Sequence, residues 1–365
     1  MTSDQLQIPL FEPVRKSPKR SRSLQKDLEA FAAFGEKTRT SILLTANARG
    51  GALEVPVFTN EFWTAKQRAG NSLHEISYRA CFKPQLPRFF IERLTKPGER
   101  VYDPFMGRGT TPLEAALLGR IPVGCDVNPL SAVLVRPRLA PPSIDAIEAR
   151  LKEIDFSKAG SEKVTTDLLV FYHAETLSQI LALKSYLLKR VKNGKLDAVD
   201  EWIRMVAINR LTGHSPGFFS VYTLPPNQAT SPVAQRKINE KRKQTPPVRD
   251  VAKIILKKSR SLLSDCDSIV GAGLRRTASE ALLVTSAASR TPAIADNSVQ
   301  LVVTSPPFLD IVDYAGDNWL RCWFLGMDPK TVEITTPGKI ARWQEEMTKV
   351  FHELHRVLAP GGHVA

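Results

Sequence analysis

Two short loops in this chain carry residue types suited to chemistry beside a flat ring. The first is Asp103-Pro104-Phe105-Met106-Gly107-Arg108-Gly109-Thr110-Thr111, and the second is Thr304-Ser305-Pro306-Pro307-Phe308. Each follows an apolar, strand-like run. In the first loop, Gly107 and Gly109 permit a tight turn and let backbone amides approach a ligand closely. The start of a following helix adds partial positive charge, which suits a carboxylate or a phosphate. Asp126 ends the next apolar run, 17 residues after Gly109, where an acid can accept both hydroxyls of a ribose. A lone Gly-x-Gly is no more than a turn; with a capped helix and Asp126 it points to a nucleoside-type ligand. Dinucleotide sites usually need a third glycine for close helix packing. Thr110-Thr111-Pro112 stands there instead. That favours a ligand without pyrophosphate, such as S-adenosylmethionine, whose ammonium Asp103 could pair.

In the second loop, Pro306 and Pro307 stiffen the backbone and remove two N–H donors. The carbonyls of Ser305 and Pro306 are then available to an amino group, and the Ser305 hydroxyl adds an acceptor. Phe308 offers a flat face on which a base could stack. An exocyclic amino group is a weak nucleophile because its lone pair is delocalised into the ring. Acceptors that draw its N–H bonds out of plane localise that pair, so the contribution is positioning and electrostatics. A base within a duplex must flip out to reach such a pocket. The competing explanation is a rigid Pro-Pro turn with a core phenylalanine.

The elements that must position these loops read as an α/β chain. Residues 86–94 have helical character and stop before Pro97-Gly98. Residues 100–102 lead a short strand into the glycine loop. Thr111 with Glu114 spells a capping box, with Pro112 at the first helical position and Gly119 at the helix end. Residues 121–126 form the next strand. This strand–loop–helix–strand unit is the repeating piece of a doubly wound, mostly parallel sheet. Residues 281–285 and 299–303 resume the strand pattern. Ile340, Trp343, Met347, Phe351, Leu354 and Val357 recur at steps of three and four, which predicts one buried helical stripe. Pro360-Gly361-Gly362 ends it, and residues 363–365 look like the start of a strand.

Between these halves the rhythm breaks. Residues 141–276 contain helical stretches at 176–192 and 198–211, then a Gly/Pro/aromatic stretch at 213–226. Residues 235–260 hold ten Lys/Arg against Glu240 and Asp250 alone, a largely helical insert with a basic face. Residues 14–26 carry six cations and no acid, which reads as a flexible basic arm or a solvated terminus. The whole chain has 51 basic and 37 acidic residues, a formal charge of +14, and such an excess favours a polyanion partner. No apolar run approaches the ~20 residues that span a bilayer. Residues 1–10 lack a signal-peptide core, so a cytoplasmic location is expected. The four cysteines form no CxxC pair, and no metal is expected. His173 and His214 lack partners at ligand spacing and read as local hydrogen-bonding residues. Asp310, Asp313 and Asp317 fit one helix face as well as a metal cluster, and Tyr314 and Trp319 read as packing.

Together these residues resemble the amino-group DNA methyltransferases, which make N4-methylcytosine or N6-methyladenine. Residues 103–111 look like the family's cofactor motif, Gly124-Cys125-Asp126-Val127-Asn128-Pro129 its ribose motif, and residues 304–308 its catalytic motif. Residues 78–87, with Phe82, are similar to the segment covering the methionine end of the cofactor. The resemblance spans residues 71–140 and 296–365. It implies a Rossmann-like methyltransferase fold that binds S-adenosylmethionine through Phe82, Asp103, Pro104, Phe105, Gly107, Gly109, Thr110, Thr111, Asp126 and Asn128. It implies a base held by Ser305, Pro306, Pro307 and Phe308. Ser-Pro-Pro usually accompanies cytosine N4 in this family, so Ser305 favours cytosine over adenine. Tyrosine is more usual where Phe308 stands. The order of motifs resembles the subgroup whose target recognition lies in the insert, so that Arg236, Lys237, Lys241, Arg242 and Lys243 would meet DNA phosphates. The division implied is a basic arm and extension at 1–70, a cofactor half at 71–140, the insert at 141–276 and a catalytic half at 277–365. The family sheet has further strands after the last helix, and the chain stops at Ala365. A truncated or split enzyme is therefore expected, with a sheet edge exposed unless a partner covers it. An RNA base methyltransferase and a non-catalytic subunit are the rival expectations. The biological setting implied is restriction–modification in a prokaryote or phage.

Overall fold

Short apolar runs that end in an acid or a hydroxyl form the centre of the structure. The computed structural model describes residues 24–46, 50–63, 70–79, 81–158, 167–224, 230–307, 314–328 and 340–365. The chain divides into two units, Met1–Thr64 and Ala65–Ala365. The first holds helix α1 (Leu24–Glu29) and an antiparallel hairpin of β1 (Arg39–Ala46) and β2 (Ala52–Thr59). The Asn60 amide closes the base of this hairpin by donating to Phe31 O and Thr38 Oγ1, both at 3.0 Å. Most of the basic arm lies outside the described residues.

The second unit runs α2 (Gln85–Leu94), β3 (Arg100–Asp103), α3 (Thr110–Leu117), β4 (Ile121–Asp126) and α4 (Pro129–Leu139). Six helices follow: α5 (Ile144–Glu153), α6 (Ala174–Lys192), α7 (Ala198–Ile208), α8 (Pro232–Arg242), α9 (Val251–Leu262) and α10 (Ser268–Ala278). The chain then returns through β5 (Leu282–Thr285), β6 (Val299–Val302), α11 (Tyr314–Leu325), α12 (Ile340–Val357) and β7 (Leu358–Val364). Strands β3 to β7 form one sheet in the order β5-β4-β3-β6-β7, and every neighbouring pair is parallel. The order reverses direction between β3 and β6. In such sheets a crevice opens beyond the carboxyl ends of the two strands at the reversal. The two loops singled out above leave those two ends.

Side-chain alternation decides what covers each face. Val101, Leu301 and Val303 cluster with Ile91 of α2 and Ala115 of α3. Tyr102, Val123 and Val302 cluster with Met347, Val350, Leu354 and Val357 of α12. Helices therefore cover both faces, as parallel strands buried on two sides require. The stripe on α12 is rotated from the expected one: Ile340 and Phe351 are 65% and 57% exposed, and Val350 is buried in place of Phe351. The sheet surface meets the helix one position earlier than the apolar spacing suggested. Strand β7 begins at Leu358, earlier than the expected 363, and absorbs Pro360-Gly361-Gly362 through a register shift against β6. It lies at the edge of the sheet.

The capping box at the start of α3 is not formed. The N-cap is Gly109, and no side chain caps the helix. Thr111 donates instead to the carbonyl of Val303 at 3.0 Å, tying α3 to β6. The Glu114 carboxylate is held by Arg88 at 3.0 Å and lies 3.7 Å from His74. Both side chains found tertiary partners that outcompeted the local motif. Helices α4 to α10 do use side-chain caps: Asn128, Ser143, His173, Ser231, Asp250 and Asp267 each accept a backbone N–H, and Asp197 with Asp200 forms a reciprocal box. His173 thus has the local role expected of it.

Helices α5, α6, α7, α9 and α10 share one core with the glycine-loop region. Trp202, Ile203 and Val206 of α7 cluster with Leu130, Leu134 and Val135 of α4. No helix among the described residues is long and apolar enough to cross a membrane. Trp202 is fully buried, and its indole N–H donates to Ser259 Oγ at 3.0 Å. Trp202→Ala is expected to lower unfolding free energy by about 3–5 kcal/mol, and Ser259→Ala by roughly 1–3 kcal/mol through the orphaned indole N–H. Urea titrations monitored by circular dichroism read both.

Candidate active site

Adjacent strands carry the two loops to one place. Tyr102 of β3 is registered with Val302 of β6, and Val303 N donates to Tyr102 O at 3.0 Å. Asp103 follows Tyr102 directly and Thr304 follows Val303, and Thr304 Oγ1 donates to Asp103 Oδ1 at 2.7 Å. Phe105 N donates to the same oxygen at 3.0 Å. Asp103 is buried, and burial pushes its carboxyl from 3.8 up to about 7, against the pull of those hydrogen bonds.

The glycine loop folds across the end of β4. Met106 N donates to Cys125 O at 3.0 Å, and Gly107 N to Asp126 Oδ2 at 2.8 Å. The other Asp126 oxygen accepts Asn128 N–H at 2.9 Å, and Asn128 Oδ1 caps α4 at Leu130 N. One carboxylate thus holds both loops that leave β3 and β4. Burial raises its pKa, partly offset by these two amides. Gly107 and Gly109 both have positive φ, 47° and 78°. A Cβ at Gly109 would also stand 2.3 Å from Val135 Cγ2 on α4. The second glycine therefore serves a close helix approach as well as the turn.

A cavity of about 180 Å³ opens among these loops. Of the residues expected to hold a nucleoside-type ligand, Phe82, Asp103, Pro104, Phe105, Gly107, Thr110, Asp126 and Asn128 line it. Gly109 and Thr111 are not among its lining residues. Ser305 and Pro307 line the same cavity, and Ser305 and Pro306 are exposed. Phe308, Asp310 and Asp313 lie outside the described residues. Asp317 pairs with Arg79, and no group of acids, histidines and cysteines suited to a metal occurs among the described residues. Trp319 is packed as expected, its ring 6.1 Å from Phe171 and its N–H donating to Thr230 O at 3.3 Å.

Several lining or supporting residues were not singled out individually in the sequence, although residues 78–87 and 103–111 were read as motifs and Trp343 and Met347 as part of a helical stripe. Tyr78, Arg79 and Cys81 line the cavity from the segment before α2, Ala287 to Ser289 from the loop after β5, and Trp343, Glu346, Met347 and Val350 from α12. Arg108 donates from within the glycine loop to Ile76 O at 2.8 Å and more distantly to Phe82 O at 3.5 Å. Arg138, fully buried on α4, donates to Leu73 O at 3.1 Å and to the carbonyl of Arg108. Burial, and then the charge of Arg108, lowers the Arg138 pKa to about 9. These two guanidinia tie the glycine loop to residues 73–82. An arginine between two glycines was the available signal. Nothing in the spacing said which carbonyls it would find.

The five cations of the basic run lie on or just after α8, and all are exposed. Arg236 pairs with Asp167 at 2.8 Å, and the Arg242 guanidinium sits 3.7 Å over the Tyr222 ring. None of the five lines the cavity.

A DNA methylase family, N6_N4_Mtase, matches residues 19–132. The chain is 24% identical over 317 residues to the type II methyltransferase M.BsoBI of Geobacillus stearothermophilus, covering 81% of this chain and 61% of that protein. It is 30% identical over 99 residues to M.MvaI of Kocuria varians, and 30% identical over 92 residues to M.MjaII of Methanocaldococcus jannaschii, both type II methyltransferases. Those matches cover 20% and 15% of the relatives. The chain thus spans about three-fifths of the first relative's length and much less of the other two. No solved structure matches significantly. The chain is thus similar to DNA methylases over residues 19–132 and to type II methyltransferases, and its five-stranded parallel sheet fits a methyltransferase fold.

Two outcomes follow from the geometry. Gly109→Ala meets both a positive φ and Val135, and a cost of about 1–3 kcal/mol is expected. Adding Val135→Ala should remove only the steric part, as thermal unfolding of the single and double variants would reveal. The Asp103 carboxyl is raised in the folded state, so its contribution to stability is full below about 4 and lost as pH rises toward about 7. Asp103→Asn should flatten that part of a pH–stability profile measured by denaturant titration.

Proposed function

We propose that this chain is an S-adenosylmethionine-dependent DNA methyltransferase acting on the exocyclic amino group of a flipped base, with cytosine N4 as the target. The observation that carries it is the Thr304–Asp103 hydrogen bond, which joins a cofactor-type acid to the Ser-Pro-Pro loop beside one cavity. The Rossmann-like description of the sheet belongs to the same proposal, supported by the reversal of strand order at β3 and β6.

The residues present fit the cofactor. Asp126 ends β4 with a carboxylate able to accept ribose hydroxyls, Asp103 is an acid for an ammonium, and Tyr78, Phe82, Phe105 and Met106 give an apolar lining. S-adenosylmethionine supplies, when bound, an electrophilic methyl on a sulfonium. Ser305 and the Pro306 carbonyl would accept the N–H bonds of the target amine and turn its lone pair toward the cavity. As the new N–C bond forms, the nitrogen sheds one proton, and exposed Ser305 gives it a path to water. Arg236, Lys237, Lys241, Arg242 and Lys243 would meet phosphates.

Nucleoside mass analysis of DNA treated with the chain and S-adenosylmethionine is expected to show N4-methylcytosine. N6-methyladenine would correct the base. Binding of S-adenosylmethionine by calorimetry without any methylated nucleoside would favour a non-catalytic subunit. Ionising Asp103 should aid an ammonium ligand, so cofactor affinity is expected to rise between pH 6 and 8 and to lose that dependence in Asp103→Asn. Replacing Lys237 and Lys241 by alanine is expected to weaken DNA binding on all sequences and to reduce the slope of log K against log salt by roughly one per charge.

A further inference from the structure

Resting on that reading, we propose that Trp343 is a positioning residue for the transfer step, acting by fixing the carbonyl of Pro307. The indole N–H of Trp343 donates to Pro307 O at 3.0 Å across 36 residues of sequence. Trp343 itself lines the cavity, beside Met347 and Val350 on the same helix.

The chemistry of the loop explains why this bond matters. Pro306 and Pro307 have no N–H, so neither residue can anchor the loop as a donor. Their rings fix φ, which leaves ψ as the main freedom of the backbone there. On the strand side the loop is held by Thr304, whose N–H donates to Ala365 O at 3.0 Å and whose hydroxyl donates to Asp103. A bond to the Pro307 carbonyl sets the orientation of the peptide that follows and so restrains ψ at the far side of the Pro-Pro pair. It also occupies an acceptor next to the two assigned to the target amine. With Pro307 O engaged, an incoming amino group is directed to Ser305 and the Pro306 carbonyl. Effects of this kind are geometric and large, because misplacement by about 1 Å can cost on the order of a hundredfold in rate.

Helix α12 is well placed to make this restraint rigid. Met347, Val350, Leu354 and Val357 pin it to the sheet face that carries Tyr102 and Val302. The loop's two ends are thus held against one sheet, one by β3 and the other by a helix packed on it.

The test is Trp343→Phe, which keeps an aromatic wall and deletes the donor. With wild-type protein that methylates DNA, kcat is expected to fall about tenfold as the loop loses the restraint that positions its acceptors. The affinity for S-adenosylmethionine is expected to stay unchanged, and the midpoint of thermal unfolding to fall by no more than the few degrees one part-buried hydrogen bond contributes. Equal kcat in the two proteins would overturn the proposal, and so would a loss spread over stability and cofactor binding, which marks a packing role. A wild-type chain that methylates nothing would instead count against the proposed function. The inference would then be decided by hydrogen exchange of a peptide covering residues 303–308. Faster exchange in Trp343→Phe with β3 unchanged supports the restraint, and identical exchange sinks it.

Discussion

The constraint on which the site depends is the adjacency of β3 and β6. They are far apart in sequence, yet Tyr102 and Val302 pair in register. Parallel pairing brings both carboxyl ends to the same rim, and just beyond the pair Asp103 and Thr304 meet at 2.7 Å. A slip of one residue would turn Val302 and Tyr102 to the opposite faces and separate Thr304 from Asp103. The register is guarded on both sides: Val101, Leu301 and Val303 fill one apolar cluster, and Tyr102 and Val302 another.

Electrostatics at the rim work against folding and in favour of ligands. Asp103 and Asp126 are both buried enough for their carboxyls to be raised, and each is restrained by backbone amides. A buried acid that resists ionisation without a partner is poised for a cationic or hydroxyl-bearing one. Arg138, fully buried and held by main-chain carbonyls, has the same character with opposite sign. It fixes the position of the glycine loop from behind, where a carboxylate partner would have left the loop carbonyls unbonded.

Much of this was legible in the residues because the signals were local. Strands β3, β4 and β6, helix α2 and the turn glycines announce themselves by apolar runs, proline, glycine and a terminal acid. The α3 capping box was misread because Thr111 and Glu114 had better partners on β6 and α2, which no local rule sees. The α12 stripe was off by one face because Ile340 and Phe351 are apolar but exposed. The particular contacts of Tyr78, Arg108 and Trp343 were not legible for a related reason. Their contacts cross long stretches of sequence, and their residue types are ordinary.

The core shared by α4 and α7 carries a consequence for how such a protein diversifies. Val135 packs against Gly109, and with Leu130 and Leu134 it is covered by residues of the helical stretch between β4 and β5. Grafting a foreign stretch there would bare those leucines and unsettle the helix that Gly109 rests against. Substitutions on the outer surface of α8, which contributes no apolar residue to that core, would by contrast leave these inner layers untouched.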